Sequence, residues 1–239
     1  PTTPVSRAVL LAAGRGTRMR DLTESLPKPM LPVHGKPILE HIIAGLKNAG
    51  VTEVLIVVGY RSDVVTSHFG DGSGHGINIC YVTQVVQDGT GRVVDLAKDF
   101  TADHPFILSY GDILIDPDNY ARLTNLDRHA ALISVKRNEA EMAKGGCVVV
   151  DGTMTLTDLI EKPSGPAPSP WYNAGVYTFS PTIYQHTARL QRSPRGEFEL
   201  TDAIKTLAQE TGNVLAVELK GGWADVRDPE VLAELNASR

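Results

Sequence analysis

"LLAAGRGTRMRDLTESLPKPMLPV", residues 10–33, places two glycines, three arginines and a proline-flanked lysine directly behind an apolar run. Glycines after a strand let the backbone approach an anion closely, and successive N–H groups there can wrap phosphate oxygens. Arg15, Arg18, Arg20 and Lys28 add positive charge, which makes a polyphosphate the natural guest. Read alone, the same glycines also suit a tight turn with solvated arginines. Two familiar phosphate motifs do not fit. A Walker loop needs Gly-Lys followed by Ser or Thr, and "GRGTRM" has none. A dinucleotide fingerprint opens its helix at once, whereas here a long proline-containing loop comes first. Pro27 and Pro29 restrict the backbone on either side of Lys28 and so hold its ammonium group in place.

Outward from this loop, β-rich apolar runs recur at 8–13 (AVLLAA), 53–59 (EVLIVVG), 77–83 (INICYVT) and 105–112 (PFILSYGD). Such continuous runs suit strands buried on both faces of a parallel sheet covered by helices. Between the first two, Ile38, Ile42, Ile43 and Leu46 fall at helical spacing, with Pro37 at the first helical position and Gly50 closing the end. RSDVVTSHF and TGRVVDLAKDF are further helix candidates, the second with Val93, Val94 and Ala97 on one face. After residue 130, AALISVKR, GCVVVDG, LTDLIEKP and YNAGVYTFS read as strands separated by turn residues, which predicts antiparallel strands added to a parallel core. A helix at FELTDAIKTLAQE, a strand at VLAVEL and a helix at PEVLAEL follow, and KPSGPAPSP is a surface loop. The predicted class is α/β: a three-layer, Rossmann-like, mixed but mostly parallel sheet with helices on both faces and an added antiparallel portion.

The chain has 239 residues, 42% of them apolar and 21% charged, which suits one globular domain spanning 1–239. A net charge of −5 argues against a nucleic-acid partner, whose binding needs a broad excess of Lys and Arg. Cys80 and Cys147 lie in apolar runs and read as buried thiols rather than a disulfide or zinc site. The seven histidines show no ligand spacing, and no serine sits in a nucleophile elbow. The absence of a long apolar span or signal pattern predicts a cytoplasmic protein with no membrane partner.

The opening stretch, continued through "HGKPILEH", resembles the signature of the sugar-1-phosphate nucleotidyltransferases. The resemblance extends in order through VTQVVQDGTG, YGDILID, IEKP, YNAGVYTF, GEFELTDAI and GWADVRDPEVL, nearly the whole chain. It implies transfer of a nucleotidyl group from an NTP to a sugar 1-phosphate, with a nucleotide-binding part over about 1–115 and a sugar-binding part over about 116–239. It also implies Mg²⁺ as cofactor, NTP and sugar 1-phosphate as partners, and is compatible with a homo-oligomer. Family members with a β-helix extension are longer, so that extension is expected to be absent. The helix segment after Gly196 is similar to the thymidylyl and uridylyl branches, which favours UTP or dTTP; GTP or CTP, and guanylyl or uridylyl relatives of similar size, remain alternatives.

By the same resemblance, Leu11, Ala12, Ala13 and Gly14 meet the nucleoside, while Gly16, Thr17 and Arg18 cradle the triphosphate and Lys28 touches the reacting phosphates. Gln84 and Gly89 match the base-reading pair, with Arg92 following where a small residue or His is commoner. Asp112 and Asp225 correspond to the metal ligands. Alone, Asp112 is equally a Gly-Asp turn, and Arg227 departs from the family's Asp-x-Gly in a way that predicts a crowded site. Glu161 and Asn173 correspond to sugar contacts, Gly146 to a backbone contact and Lys162 to a sugar-phosphate cation, although Glu161-Lys162 also suits an exposed ion pair. Asp116, Asp118 and Asp228 read as helix-start residues. A non-catalytic nucleotide-sugar-binding relative and a redox Rossmann enzyme are the rival classes. The joint presence of Arg18, Lys28, Asp112, Lys162 and Asp225 disfavours the first, and the loop spacing disfavours the second.

Overall fold

The computed structural model describes residues 2–238. The first apolar run forms β1 (Arg7–Ala12), and the long loop behind it carries two 3-10 turns and a short hairpin of β2 (Pro32–Val33) and β3 (Lys36–Pro37). Then come α1 (Ile38–Asn48), β4 (Glu53–Val58), α2 (Ser62–Phe69) and β5 (Asn78–Thr83). Pro37 stands before α1 with extended ψ, as the helix cap rather than its first residue, because it is still paired in β3. The next predicted helix is broken into α3 (Thr90–Val93), a 3-10 turn and α4 (Lys98–Thr101), although Val93, Val94 and Ala97 are buried together as its pattern requires. β6 (Phe106–Tyr110), β7 (Ile113–Ile115) and α5 (Asn119–Leu123) complete the first half.

The second half contains β8 (Ala131–Arg137), β9 (Gly146–Val150), β10 (Leu156–Glu161) and β11 (Trp171–Phe179). They are followed by α6 (Ile183–Thr187), α7 (Leu200–Thr211), β12 (Val214–Glu218), β13 (Trp223–Asp225) and α8 (Pro229–Ala237). Asp228 caps α8 by accepting the Val231 N–H at 2.9 Å, ahead of Pro229 in the first turn.

One nine-stranded sheet runs β10-β9-β11-β6-β1-β4-β5, with β8 and β12 joined through β11. β6, β1, β4 and β5 are parallel, whereas β11 pairs antiparallel with β6, β8 and β9. The predicted class therefore holds. Alternation along β1 sends Ala8, Leu10 and Ala12 into one core and Val9 into the other. The first core packs under α1, α2, α5 and α8, the second under α3, α6 and α7, which makes the three layers. Cys147 is buried, but Cys80 is exposed, because β5 is an edge strand with one open flank. Among the described residues no helix is long and apolar enough to cross a membrane.

Candidate active site

The parallel strands end on a cleft, the place where open α/β sheets bind ligands. Two connected chambers of about 350 and 330 Å³ share Thr90, Tyr110, Asp112 and Glu197. Leu11, Ala12, Ala13, Gly14, Gly16, Lys28, Gln84 and Gly89 line the first, together with Asp112. Gly146, Glu161, Asn173 and Asp225 line the second. Thirteen of the sixteen residues singled out by sequence thus converge on one cleft.

Gly16 has φ +75°, and a Cβ there would stand 2.8 Å from Lys28 Cβ and Cε, so only glycine lets the lysine cross over the turn. Lys28 opens a 3-10 turn behind extended Pro27, and its Nζ donates to Asp112 Oδ2 at 2.8 Å. Gly89, with φ +108°, lies against the Phe198 carbonyl and brings the loop after β5 up to the start of α7. Gln84 Nε2 donates to the Val86 carbonyl at 2.9 Å, which fixes its amide plane at the chamber wall.

Asp112 follows β6, whose next residue, Gly111, donates its N–H to Leu11 O at 2.9 Å. β7 then pairs with β13, placing Asp225 opposite Ile113, and Val226 N–H donates to Asp112 O at 2.9 Å. Both aspartates are thereby carried on one small ladder. Burial, reinforced by the negative charge of Asp112, pushes the Asp225 carboxyl up to about 6, with Lys28 and Arg227 opposing. Paired carboxylates under mutual repulsion form a donor set suited to a hard divalent cation.

In the second chamber Glu161 and Gly146 are register partners across β10 and β9. A Cβ on Gly146 would lie 3.2 Å from Asn173 Cβ and 3.4 Å from Glu161 Oε2, so bulk there would fill the space between the two side chains. Asn173 is oriented by the Tyr177 hydroxyl at 2.8 Å and by the Gly175 N–H at 3.2 Å. Loss of water against the cleft walls raises the Glu161 pKa, with Glu199 and Asp202 adding to it and Arg195 and Lys162 opposing.

Thr17, Arg18 and Lys162 are exposed and line neither chamber. The first two follow the sharp Gly16 turn outward, and Lys162, at φ +45°, leaves β10 with its N–H bonded to Gly145 O. Arg92 lines neither chamber: its guanidinium stacks 4.0 Å from the Phe198 ring centroid. Nor does Arg227 crowd the aspartates. It turns away to Glu141, with Nη2 to carboxylate distances of 2.5 and 2.6 Å.

Sequence reasoning missed Thr90, Tyr110, Arg195, Glu197 and Glu199. Burial raises the Tyr110 hydroxyl to about 12, so it stays neutral where the chambers meet. Arg195 donates from Nη2 to Glu199 Oε1 at 2.7 Å and adds a cation to the second chamber. Arg195 and Glu199 are only four positions apart, but they pair across the turn before α7, where no helical or strand periodicity signals the contact.

A cleft with a glycine-rich cationic loop at one end, oxygen acceptors at the other and two aspartates at the junction agrees with the family comparison, in which the nucleotidyl transferase model matches residues 7–238. The chain belongs to that family. One relative, "Bifunctional protein GlmU" of Methanococcus aeolicus, is 38% identical over 96% of this chain and 53% of its own length. "UTP--glucose-1-phosphate uridylyltransferase AglF" of Haloferax volcanii is 34% identical over 94% of this chain and 92% of its own. The chain spans about half the length of several of the curated relatives it matches. Among solved structures, a UDP-glucose pyrophosphorylase complexed with UDP-glucose superposes with TM-score 0.89 at 22% identity, over 98% of this chain and 97% of that one. That likeness shows the nucleotidyl transferase fold.

Proposed function

We propose that the chain transfers a nucleotidyl group from a nucleoside triphosphate to a sugar 1-phosphate, giving a nucleoside diphosphate sugar and pyrophosphate. The observation that carries this reading is the junction, where Lys28, Asp112 and Asp225 stand between the glycine-rich chamber and the one lined by Glu161 and Asn173. A phosphate oxygen of the sugar 1-phosphate attacks the α-phosphorus as the bond to the bridging oxygen of pyrophosphate breaks. The nucleophile is already an anion, so no general base is required. Negative charge collects on the transferring and leaving groups, and the rate comes from alignment and electrostatic stabilisation.

In this reading backbone N–H groups around Gly14 and Gly16 hold the triphosphate, Thr17 and Arg18 close on it from the rim, and Lys28 sits at the reacting phosphates. Lys162 swings in from the opposite lip to the sugar phosphate. Glu161 and Asn173 take sugar hydroxyls, with Gly146 leaving them room. Mg²⁺ held by Asp112 and Asp225 would supply neutralisation of the phosphate charge. UTP or dTTP is the favoured donor: Gln84 offers both a donor and an acceptor to a base edge, and the name of the Haloferax volcanii relative specifies UTP and glucose 1-phosphate.

The test is pyrophosphate release with Mg²⁺ from UTP, dTTP, GTP, CTP and ATP, each against a set of hexose and amino-sugar 1-phosphates. Release is expected from at least one pyrimidine pair. Binding of a nucleoside diphosphate sugar with no release from any pair would identify a non-catalytic binder instead.

A further inference from the structure

Outside the cleft, α1, α2 and the 3-10 turn Ser73–His75 bring Glu40, His68 and His75 together, with ligand-capable atoms all within 4.8 Å of one another. His75 Nε2 lies 3.0 Å from Glu40 Oε1, and His68 Nε2 lies 3.3 Å from the same oxygen. A tetrahedral Zn²⁺ ion with bonds of about 2.0–2.1 Å has ligand-to-ligand edges of about 3.3 Å. The two edges through Glu40 are therefore already near the coordinated length. Phe69 packs beside both rings, its centroid 4.7 Å from His68 and 5.1 Å from His75, while the two imidazole centroids are 5.8 Å apart. His75 Nδ1 is buried without a partner, which leaves Nε2 as the nitrogen that meets a ligand.

We propose that Glu40, His68 and His75 form a binding site for Zn²⁺ or a similar borderline transition-metal ion, which staples α1, α2 and the 73–75 turn together. Two imidazoles and one carboxylate select such an ion over Mg²⁺, and solvent completes the coordination. Metal on Nε2 moves the His75 proton to Nδ1, a buried N–H without an acceptor among the described residues, which costs roughly ten- to hundredfold in affinity. The site therefore binds more weakly than closed structural zinc sites. None of the three residues lines either chamber, so the site is separate from the proposed chemistry.

The full chain is titrated calorimetrically with Zn²⁺ in excess Mg²⁺, which occupies the hard carboxylate pair, while thermal unfolding is followed in parallel. One equivalent and a raised Tm are expected. His68→Gln, which keeps the bulk beside Phe69, and Glu40→Gln should each weaken that binding at least tenfold and abolish the Tm shift. Turnover with Mg²⁺, if present, should be unchanged in both. Absence of Zn²⁺ binding, or binding equal in both variants, would overturn the proposal; failure of turnover in the unaltered chain would count against the catalytic reading alone.

Discussion

One residue in the cleft is held against its own preference. Asp225 has a folded pKa of about 6 against an ordinary value of 3.8. A raised folded pKa means that the contribution to stability is fully present below about pH 4 and is lost as pH rises through about 6. Two pK units convert to about 3 kcal/mol. Asp225→Asn, measured with a chelator present, should therefore raise Tm by several degrees at pH 8 relative to the unaltered chain and by little at pH 4, while abolishing pyrophosphate release. A gain of equal size at both pH values would show that charge is not its cause. Gly16, by contrast, sits at φ +75°, where glycine alone is comfortable. Gly16→Ala places a Cβ 2.8 Å from Lys28 Cβ and Cε at φ +75°. It should cost about 1–2 kcal/mol in denaturant unfolding and lower kcat by tenfold or more as Lys28 is displaced. Ordinary stability with ordinary kcat would remove the lysine from the reacting centre.

Between elements, the Arg227–Glu141 pair joins the segment two residues past the β7/β13 ladder to the 3-10 turn Glu139–Lys144, which leads into Gly145 and Gly146 of the second chamber. The Arg227 hydrogen bond outweighs burial and holds the Glu141 pKa low, so the strap is charged on both ends. Arg227→Ala should free this turn, raising KM for the sugar 1-phosphate several-fold with kcat nearly unchanged, and Arg227→Lys should recover only part because it loses the forked geometry. An unaltered KM in the Ala variant would make the strap merely structural. The sequence signalled Arg227 as a departure but not its direction, since its partner lies 86 positions away. The same limit hid the histidine cluster, whose Glu40 lies 28 positions before His68, whereas Arg195 and Glu199, only four positions apart, pair across a turn that carries no periodic signal. Local signals, by contrast, were legible: the β1 and β4 runs, the α1 periodicity and the Asp228 cap all lie within one element's span. The TGRVVDLAKDF helix kept its buried face but not its continuity, because periodicity reports which side is apolar and not whether the backbone stays regular.

At the scale of the molecule, sheet order ties the first half of the chain to the second. β6 is an interior strand between β1 and β11, although β11 arrives some 65 residues later in the chain. Phe106, Ile107, Leu108 and Ser109 of β6 are completely buried, and Thr178 of β11 donates to the Leu123 carbonyl of α5 at 2.6 Å. A fragment ending near residue 115 would expose β6 as a hydrophobic edge with unpaired backbone groups, and would also lose α7, which supplies Leu200, Ala203, Ile204 and Leu207 to the second core. The two halves read from the motif order thus share one sheet and the cores on both its faces. Residues 1–239 should unfold in a single denaturant transition followed by both fluorescence and circular dichroism. A 1–115 fragment should show no cooperative transition, and adding residues 116–239 as a separate chain should restore it. A cooperative melt of the 1–115 fragment alone would mean that the nucleotide side folds independently and that β11 only docks on a finished sheet.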